Sequence, residues 1–134
     1  MSHATPRTLA ACAIVALVGC GSVTDREGWP VFRVVGRVTT ASGEPVAGAR
    51  VLVVPRRGGC DGRDQQQAMF VADRRGNYRG GFSEPSGGFD GCVLVLAESP
   101  ATSSVQLDGS AQRAGVALRD PARDSLVVTV AVGP

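Results

Sequence analysis

The stretch from Val31 to Pro55, VFRVVGRVTTASGEPVAGARVLVVP, decides which fold this sequence predicts. Two runs of mostly strand-forming residues flank a connection that is broken by Gly43, Pro45 and Gly48. Such runs, separated by glycine and proline, predict a strand, a turn and a returning strand. The stretch therefore predicts an architecture, and it contains no pattern that identifies a reaction.

Apolar and polar residues alternate along the first of these strands. Phe32, Val34 and Val38 share one face, and Arg33 and Arg37 share the other. A period of two is typical of a strand that is buried on one side only. We therefore expect the phenylalanine and the valines to point into a core and the arginines to point outward.

Three short motifs carry a resemblance to a known family. The sequence reads V-x-G-x-V over residues 34–38, G-x-P-V-x-G-A-x-V over residues 43–51 and D-x-x-G-x-Y over residues 73–78. Together they resemble carboxypeptidase regulatory-like domains, which are small transthyretin-like β-sandwiches. The resemblance extends from about Val31 to Phe82. Such domains act mostly as accessory or binding modules, so the resemblance implies a fold far more firmly than a function.

This resemblance also implies which face of the second strand is buried. It places Ala49, Val51 and Val53 inside the sandwich, and it leaves the outer face to Arg50, Leu52 and Val54. Such an outer face is too apolar to be fully exposed. We expect either the end of another strand to cover it or a partner to contact it.

Residues 1–19 have the pattern of an export signal. Arg7 precedes an apolar run from Leu9 to Val18, which is too short to cross a bilayer and has the length of a secretory signal core. The run ends in Leu17-Val18-Gly19-Cys20, which is similar to a bacterial lipobox. We predict lipid attachment at Cys20. The alternatives are an ordinary secretory signal cleaved nearby and an uncleaved anchor.

The predicted organisation has three parts. Residues 1–19 form the lipoprotein signal peptide, residues 20–30 the lipidated N-terminus with a short tether, and residues 31–134 one all-β domain. We expect that domain to be an antiparallel β-sandwich of about seven strands, transthyretin-like or immunoglobulin-like. Palmitate and the other acyl chains on Cys20 would anchor the protein in the cell envelope. Because Gly21 replaces the aspartate of an inner-membrane retention signal, the outer membrane is favoured in a Gram-negative cell, and otherwise the outer face of the cell membrane.

The strands beyond Phe82 are predicted from the pattern of apolar residues. A continuous apolar run over residues 92–97 predicts a central strand that is covered on both faces. Two weaker strands are predicted at residues 103–107 and 112–118, separated by Asp108-Gly109. Alternation over residues 126–132 predicts one closing strand.

Two of the four cysteines lie in the N-terminal export signal or directly after it, and two lie in the exported domain. Cys12 leaves with the signal peptide and Cys20 receives the lipid, so the exported domain keeps Cys60 and Cys92. Outside the cytoplasm, two remaining thiols are usually paired. We predict a disulfide that joins two glycine-rich loops, at residues 56–67 and 83–91. The alternative is two separate buried thiols.

The charged residues nearly balance. All 14 basic residues are arginine, and loss of residues 1–19 removes Arg7, which leaves 13 arginines against 12 acidic residues. A net charge of about +1 argues against binding to nucleic acid or to an acidic lipid surface, because both need a clustered basic excess.

The residue content limits the chemistry that is available. The only histidine is His3, in the signal peptide, and lysine is absent, so the mature chain cannot assemble the common nucleophile-activating sets. We predict no catalytic residue, no cofactor and no metal. The sequence Tyr78-Arg79-Gly80-Gly81 is similar to the Y-R-G-S ending of transthyretin-like hydrolases, but their histidines are missing here.

Carboxylates in the two loops provide the other route to chemistry. Asp61, Asp64 and Asp90 could surround Ca²⁺ or form an acid and base pair. The alternative is ordinary turn chemistry, because each of these aspartates lies in a glycine-rich loop. A transthyretin-like hydrolase or a carboxylate-dependent enzyme is therefore the third-ranked function.

The expected contact surface is the pair of loops that the disulfide would join. Candidate contact residues are Phe89, Asp61, Asp90, Arg56 and Arg57. Phe89 is expected to be the one exposed aromatic residue, with the alternative that it folds over the open end of the core. The leading function is a lipid-anchored, non-enzymatic binding or accessory module, whose partner is an envelope protein or glycan. The alternative is a spacer or assembly subunit that uses Leu52 and Val54.

Overall fold

The structure, a computed structural model, describes residues 28–133. The predicted signal peptide, Cys20 and most of the tether lie outside these residues. Eight strands form two four-stranded sheets: β1 Val31–Thr40, β2 Arg50–Arg57, β3 Ala68–Val71, β4 Asn77–Ser83, β5 Phe89–Glu98, β6 Asp108–Leu118, β7 Ser125–Val127 and β8 Val130–Val132. The predicted all-β class is confirmed. Among residues 28–133 there is no helix that could cross a membrane.

The first sheet is built around β1. Strand β4 pairs with β1 antiparallel, with Val31 opposite Ser83. Strands β7 and β8 pair with β1 in parallel, one after the other along its opposite edge. The prediction of a purely antiparallel sandwich is therefore wrong for this sheet. The prediction of a single closing strand is also wrong, because the regular ladder with β1 is interrupted at Val128 and Thr129, although the N–H of Val128 still donates to the carbonyl of Val35 at 2.9 Å.

The second sheet has the order β3-β2-β5-β6 and is antiparallel throughout. The weak strand predicted at residues 103–107 is absent, and β6 runs without a break from Asp108 to Leu118. Asp108-Gly109 is part of this strand rather than a turn. Gly109 lies against the backbone of Ala131, so a side chain at this position would overlap with it. This close approach joins the two sheets along one side.

The core lies between the sheets and contains the residues that alternation predicted. Phe32, Val34 and Val38 on β1 are fully buried, and so are Val51 and Val53 on β2. The core also takes Val128, Val130 and Val132 from the closing segment. Each large apolar side chain that is removed from water in this way stabilises the fold by about 1.5–3 kcal/mol.

A tight turn at residues 73–77 leads into β4. The Asp73 carboxylate accepts hydrogen bonds from the backbone N–H groups of Arg75 and Asn77, at 2.8 and 3.0 Å. Gly76 has a φ of 76°, a conformation that a side chain resists. Tyr78 is buried, and its hydroxyl donates a hydrogen bond to the carbonyl of Val128 at 2.6 Å.

Candidate binding surfaces

Three loops meet at one end of the sandwich, which we call the disulfide end: residues 58–67, 84–88 and 119–124. The Cys60–Cys92 disulfide joins the first loop to β5, with the two Cα atoms 4.9 Å apart. This confirms the predicted pairing. The chain also enters the domain at this end, because β1 begins beside Ser83 and the carbonyl of Pro30 accepts a hydrogen bond from the N–H of Glu84.

An ion pair between a buried carboxylate and a partly exposed guanidinium holds the second loop of the disulfide end. The Glu84 carboxylate is only 3% exposed and pairs with the guanidinium of Arg57 at the end of β2. It also accepts hydrogen bonds from the N–H and the hydroxyl of Ser86, at 3.1 and 2.9 Å. Sequence reasoning missed Glu84, because an acidic residue in a polar loop gives no sign that the fold will bury it.

The aspartates of the disulfide end do not converge on one point. Asp64 pairs with Arg56 at 2.6 Å, Asp90 pairs with Arg119 at 2.7 Å, and Asp61 is exposed. The hydrogen bond from Arg119 lowers the pKa of Asp90 below its ordinary value. Over residues 28–133 no group of three acidic, cysteine or histidine side chains is arranged to hold a metal ion. The aspartates thus act as partners of arginines and as turn residues.

Phe89 is not exposed, so the expectation of an exposed aromatic residue is wrong. Its side chain has no exposed surface, and its ring packs edge-on against Phe82, with ring centroids 4.9 Å apart. The physical reason is that β5 begins at Phe89, opposite Leu118 on β6, three residues earlier than the apolar run suggested. Alternation along this longer strand turns the ring inward, so it cannot contact a partner.

The predicted contact arginines are also engaged within the domain. Arg56 donates to the carbonyl of Cys60 at 2.7 Å in addition to its pair with Asp64. Arg57 reaches Ser86 and Glu84. Of the five predicted contact residues, Asp61 alone is exposed without an ion pair in the described part of the chain. The structure brings these residues to one end, as predicted, but uses most of them to hold its own loops.

The outer face of the second sheet carries an apolar groove, which we define by Leu52, Met69 and Leu96. Leu52 on β2 lies opposite Met69 on β3 and opposite Leu96 on β5. The groove has a volume of about 420 Å³. Met69 is 61% exposed and Leu96 is 38% exposed. The prediction that both faces of the central strand are covered is therefore wrong at Leu96. Val54, in contrast, is buried, so only Leu52 of the predicted apolar pair lies in the groove.

The outer face of the first sheet carries an arginine face, which we define by Arg33, Arg37 and Arg79. Strand β1 supplies the first two, and the register places Arg79 opposite Val35, between them. A shallow groove of about 620 Å³ runs over these residues. The alternation in β1 predicted two of the three arginines on one face, but nothing in the sequence showed that β4 would add a third.

The Tyr78-Arg79-Gly80-Gly81 sequence lies inside β4. Phe70 covers Gly80, and a side chain at Gly80 would overlap with the ring. A side chain at Gly81 would overlap with the carbonyl of Phe32 on β1. The two glycines therefore permit close packing of strand and ring, which gives this sequence a structural explanation.

Comparison with known proteins identifies no family for this chain. No family model and no curated protein matches it. Among solved structures, the chain is similar to chlorocatechol 1,2-dioxygenase from Pseudomonas putida, with 14% sequence identity and a TM-score of 0.42. The alignment covers 81% of this chain and 61% of the dioxygenase chain. A similarity at this level supports no conclusion about function.

Proposed function

We propose that this protein is a lipid-anchored, non-enzymatic binding or accessory module of the bacterial cell envelope. The observation that carries the proposal is the Cys60–Cys92 disulfide, because such bonds persist in oxidising compartments outside the cytoplasm. With these two cysteines paired, Cys20 remains as the thiol at the lipobox. Its lipid places the domain on the outer membrane of a Gram-negative cell or on the outer face of a single cell membrane.

We assign the sandwich to the carboxypeptidase regulatory-like type within this proposal. The residues of the three motifs meet in the fold, which supports the assignment. Gly36 lies opposite Tyr78 in the register of β1 and β4. A side chain at Gly36 would overlap with the carbonyl of Val128, the group that the Tyr78 hydroxyl contacts. The glycine and the tyrosine thus form one packing unit.

The engagement of the carboxylates supports a non-enzymatic role. A general acid or base must be free to exchange a proton with a substrate. Asp64, Glu84 and Asp90 are each paired with an arginine instead. Turnover by the purified protein that disappears in an Asp61→Asn variant would contradict this part of the proposal.

Metabolic labelling with radioactive palmitate tests the anchor. We expect label on the wild-type protein and on a Cys12→Ala variant, which is the matched control, and no label on a Cys20→Ala variant. An unlabelled wild type, or label that persists after Cys20→Ala, would contradict the proposal. Alkylation under non-reducing conditions should leave Cys60 and Cys92 unmodified in all three proteins.

A second candidate function is an assembly subunit of an envelope complex, and the apolar groove favours it. Met69 and Leu96 expose apolar surface in this groove, which a partner's apolar side chains would cover. Leu52→Arg should abolish crosslinking to a partner in native membranes. Val105→Arg is the matched control, because Val105 is 63% exposed and lies outside the groove. Equal crosslinking in both variants would remove this candidate.

A further inference from the structure

We propose that the arginine face lies on the anionic phospholipid headgroups of the membrane in which the protein is anchored. This inference rests on the proposed function, since the lipid on Cys20 brings the domain to the membrane. It adds a second, electrostatic contact and an orientation, in which the first sheet faces the bilayer and the second sheet faces away.

The three guanidinium groups are positioned to act together. Arg33 and Arg37 are four residues apart on β1, a distance of about 13 Å along a strand. Arg79 lies between them on β4, and diagonal neighbours of this kind are about 7–8 Å apart. Three positive charges therefore occupy one flat surface rather than a line or a turn.

No carboxylate forms an ion pair with the arginines of this surface within residues 28–133. None of the three arginines forms an ion pair there, although Arg37 donates one hydrogen bond to the carbonyl of Arg75. The acidic residue that lines the groove is Asp73, and its carboxylate accepts from the backbone of its own turn. Neighbouring like charges repel each other, so an anionic surface would relieve this repulsion.

Apolar side chains lie among these arginines. Val127 on β7 is opposite Val35 on β1, and its side chain is 62% exposed. Hydroxyl groups of Ser125 and Thr129 line the same groove. Membrane-binding surfaces combine positive charge with exposed apolar groups in this way, because the two contribute separately to binding.

The site of chain entry selects the membrane over other anions. Charge alone would also suit a soluble carboxylate polymer. However, the chain that leads from Cys20 enters the domain on β1, the strand that carries Arg33 and Arg37. Arg33 lies thirteen positions after Cys20 in the sequence, and a chain of this length spans at most about 45 Å. The arginine face is therefore within reach of the bilayer that holds the lipid.

Chemical modification of arginine in vesicles tests the orientation. The lipidated protein would be reconstituted into vesicles of phosphatidylcholine, with or without phosphatidylglycerol, and treated with phenylglyoxal before mass spectrometry. One arginine near an anionic membrane contributes about 1 kcal/mol to binding, which corresponds to about a fivefold change in equilibrium. We therefore expect the modification of Arg33 and Arg79 to be at least about fivefold slower in the anionic vesicles. Arg63 and Arg113, which lie outside the face, should react equally in both. The protection should vanish in 1 M salt.

Two results would overturn the inference. One is equal modification of Arg33 and Arg79 in neutral and anionic vesicles. The other is that soluble polygalacturonate protects the same arginines in neutral vesicles as strongly as phosphatidylglycerol does, which would assign the face to an anionic polymer. Neither result affects the palmitate experiment, so failure of the orientation and failure of the anchor are distinguishable.

A pair of variants tests whether the arginines act together. In Arg33→Gln with Arg79→Gln, the protection of the remaining Arg37 in anionic vesicles should fall to its level in neutral vesicles. In the control, Arg63→Gln with Arg113→Gln, the net charge changes equally and Arg37 should remain protected. Equal protection of Arg37 in both pairs would contradict the proposal. A far-UV circular dichroism spectrum and a urea unfolding midpoint equal to those of the wild type show that each variant is folded.

Discussion

The disulfide end and the arginine face use the same residue type in opposite ways. At the disulfide end, Arg56, Arg57 and Arg119 each have a carboxylate partner. On the arginine face, the described residues offer Arg33 and Arg79 no such partner. The difference follows from the register of strand pairing, because the register determines whether a carboxylate lies beside each arginine. An arginine with a partner holds the fold together, whereas one without a partner is available for binding.

The largest loss of folding stability should come from removal of the Cys60–Cys92 disulfide. We expect the double variant Cys60→Ala with Cys92→Ala to lose about 3–4 kcal/mol of unfolding free energy, because the bond restricts a long loop in the unfolded chain. The two cysteines are 32 residues apart in sequence. Urea unfolding measures this loss, and reduction of the wild-type protein should produce a similar one. A loss below about 1 kcal/mol would mean that the bond is not a main support of this end.

The next largest loss of folding stability should come from disruption of the ion pair between Arg57 and Glu84. Arg57→Ala leaves the Glu84 carboxylate buried without its partner, and we expect a loss of about 3 kcal/mol. Addition of Glu84→Gln should recover part of this loss, because a neutral amide costs less to bury than a charge. Arg79→Ala on the arginine face is the matched control and should stay within about 0.5 kcal/mol of the wild type. Equal losses from Arg57→Ala and Arg79→Ala would remove the contrast between the two regions.

A smaller loss of folding stability should follow from substitution of Tyr78, which lies beneath the arginine face. Tyr78→Phe removes its hydrogen bond to Val128, so we expect a loss of about 1 kcal/mol. Burial raises the pKa of Tyr78 to about 12, above its ordinary value of 10.0. Its contribution to stability is therefore complete below pH 10 and is lost as the pH rises towards 12.

Absorbance of the phenolate measures this ionisation directly, because Tyr78 is the only tyrosine. Ionisation of the folded protein near pH 10 would show that the hydroxyl is not held in the core. In the Tyr78→Phe variant, the loss of stability between pH 10 and 12 should be reduced.

The smallest effect should distinguish an exposed arginine that has a partner from one that does not. Arg119→Gln removes the hydrogen bond that lowers the pKa of Asp90, and it should lower the Tm at pH 7. A depressed pKa stabilises the fold above the ordinary value of 3.8, and this contribution is lost as the pH falls below it. The difference between Arg119→Gln and wild type should therefore shrink as the pH falls through the lowered pKa of Asp90. Arg79→Gln should leave the Tm unchanged across this range, and an equal response in the two variants would contradict the comparison.

The sequence predicted the first half of the fold more fully than the second. In residues 31–82, alternation acts locally and correctly predicted the buried face of β1, and the family resemblance implied the inner face of β2. Beyond residue 82, the predictions of the strand at 103–107 and of the single closing strand were wrong. These elements depend on pairing with β1 and β5, which are distant in sequence, so local pattern could not determine them.

At the disulfide end, too, the sequence predicted one feature and missed others. Residue content alone predicted the Cys60–Cys92 pair, because two thiols remain after the N-terminal pair is assigned. It could not decide between an exposed and a buried Phe89, because the start of β5 at this residue depends on pairing with β6, and it could not place Glu84 beside Arg57, because the path of residues 84–88 depends on β2. Prediction of the exposed loops as free contact surfaces failed for that reason.

The sequence by itself determined the all-β class, the inward and outward faces of the first strands and the available chemistry, because these depend on residue type and on a period of two. Only the tertiary structure decided where the charges lie. A net charge of about +1 argued against binding to an acidic surface, but strand register gathers three arginines on one face, where the described residues form no ion pair with them. Net charge is a sum over all residues, whereas binding depends on position, and position is set by contacts between strands far apart in the chain.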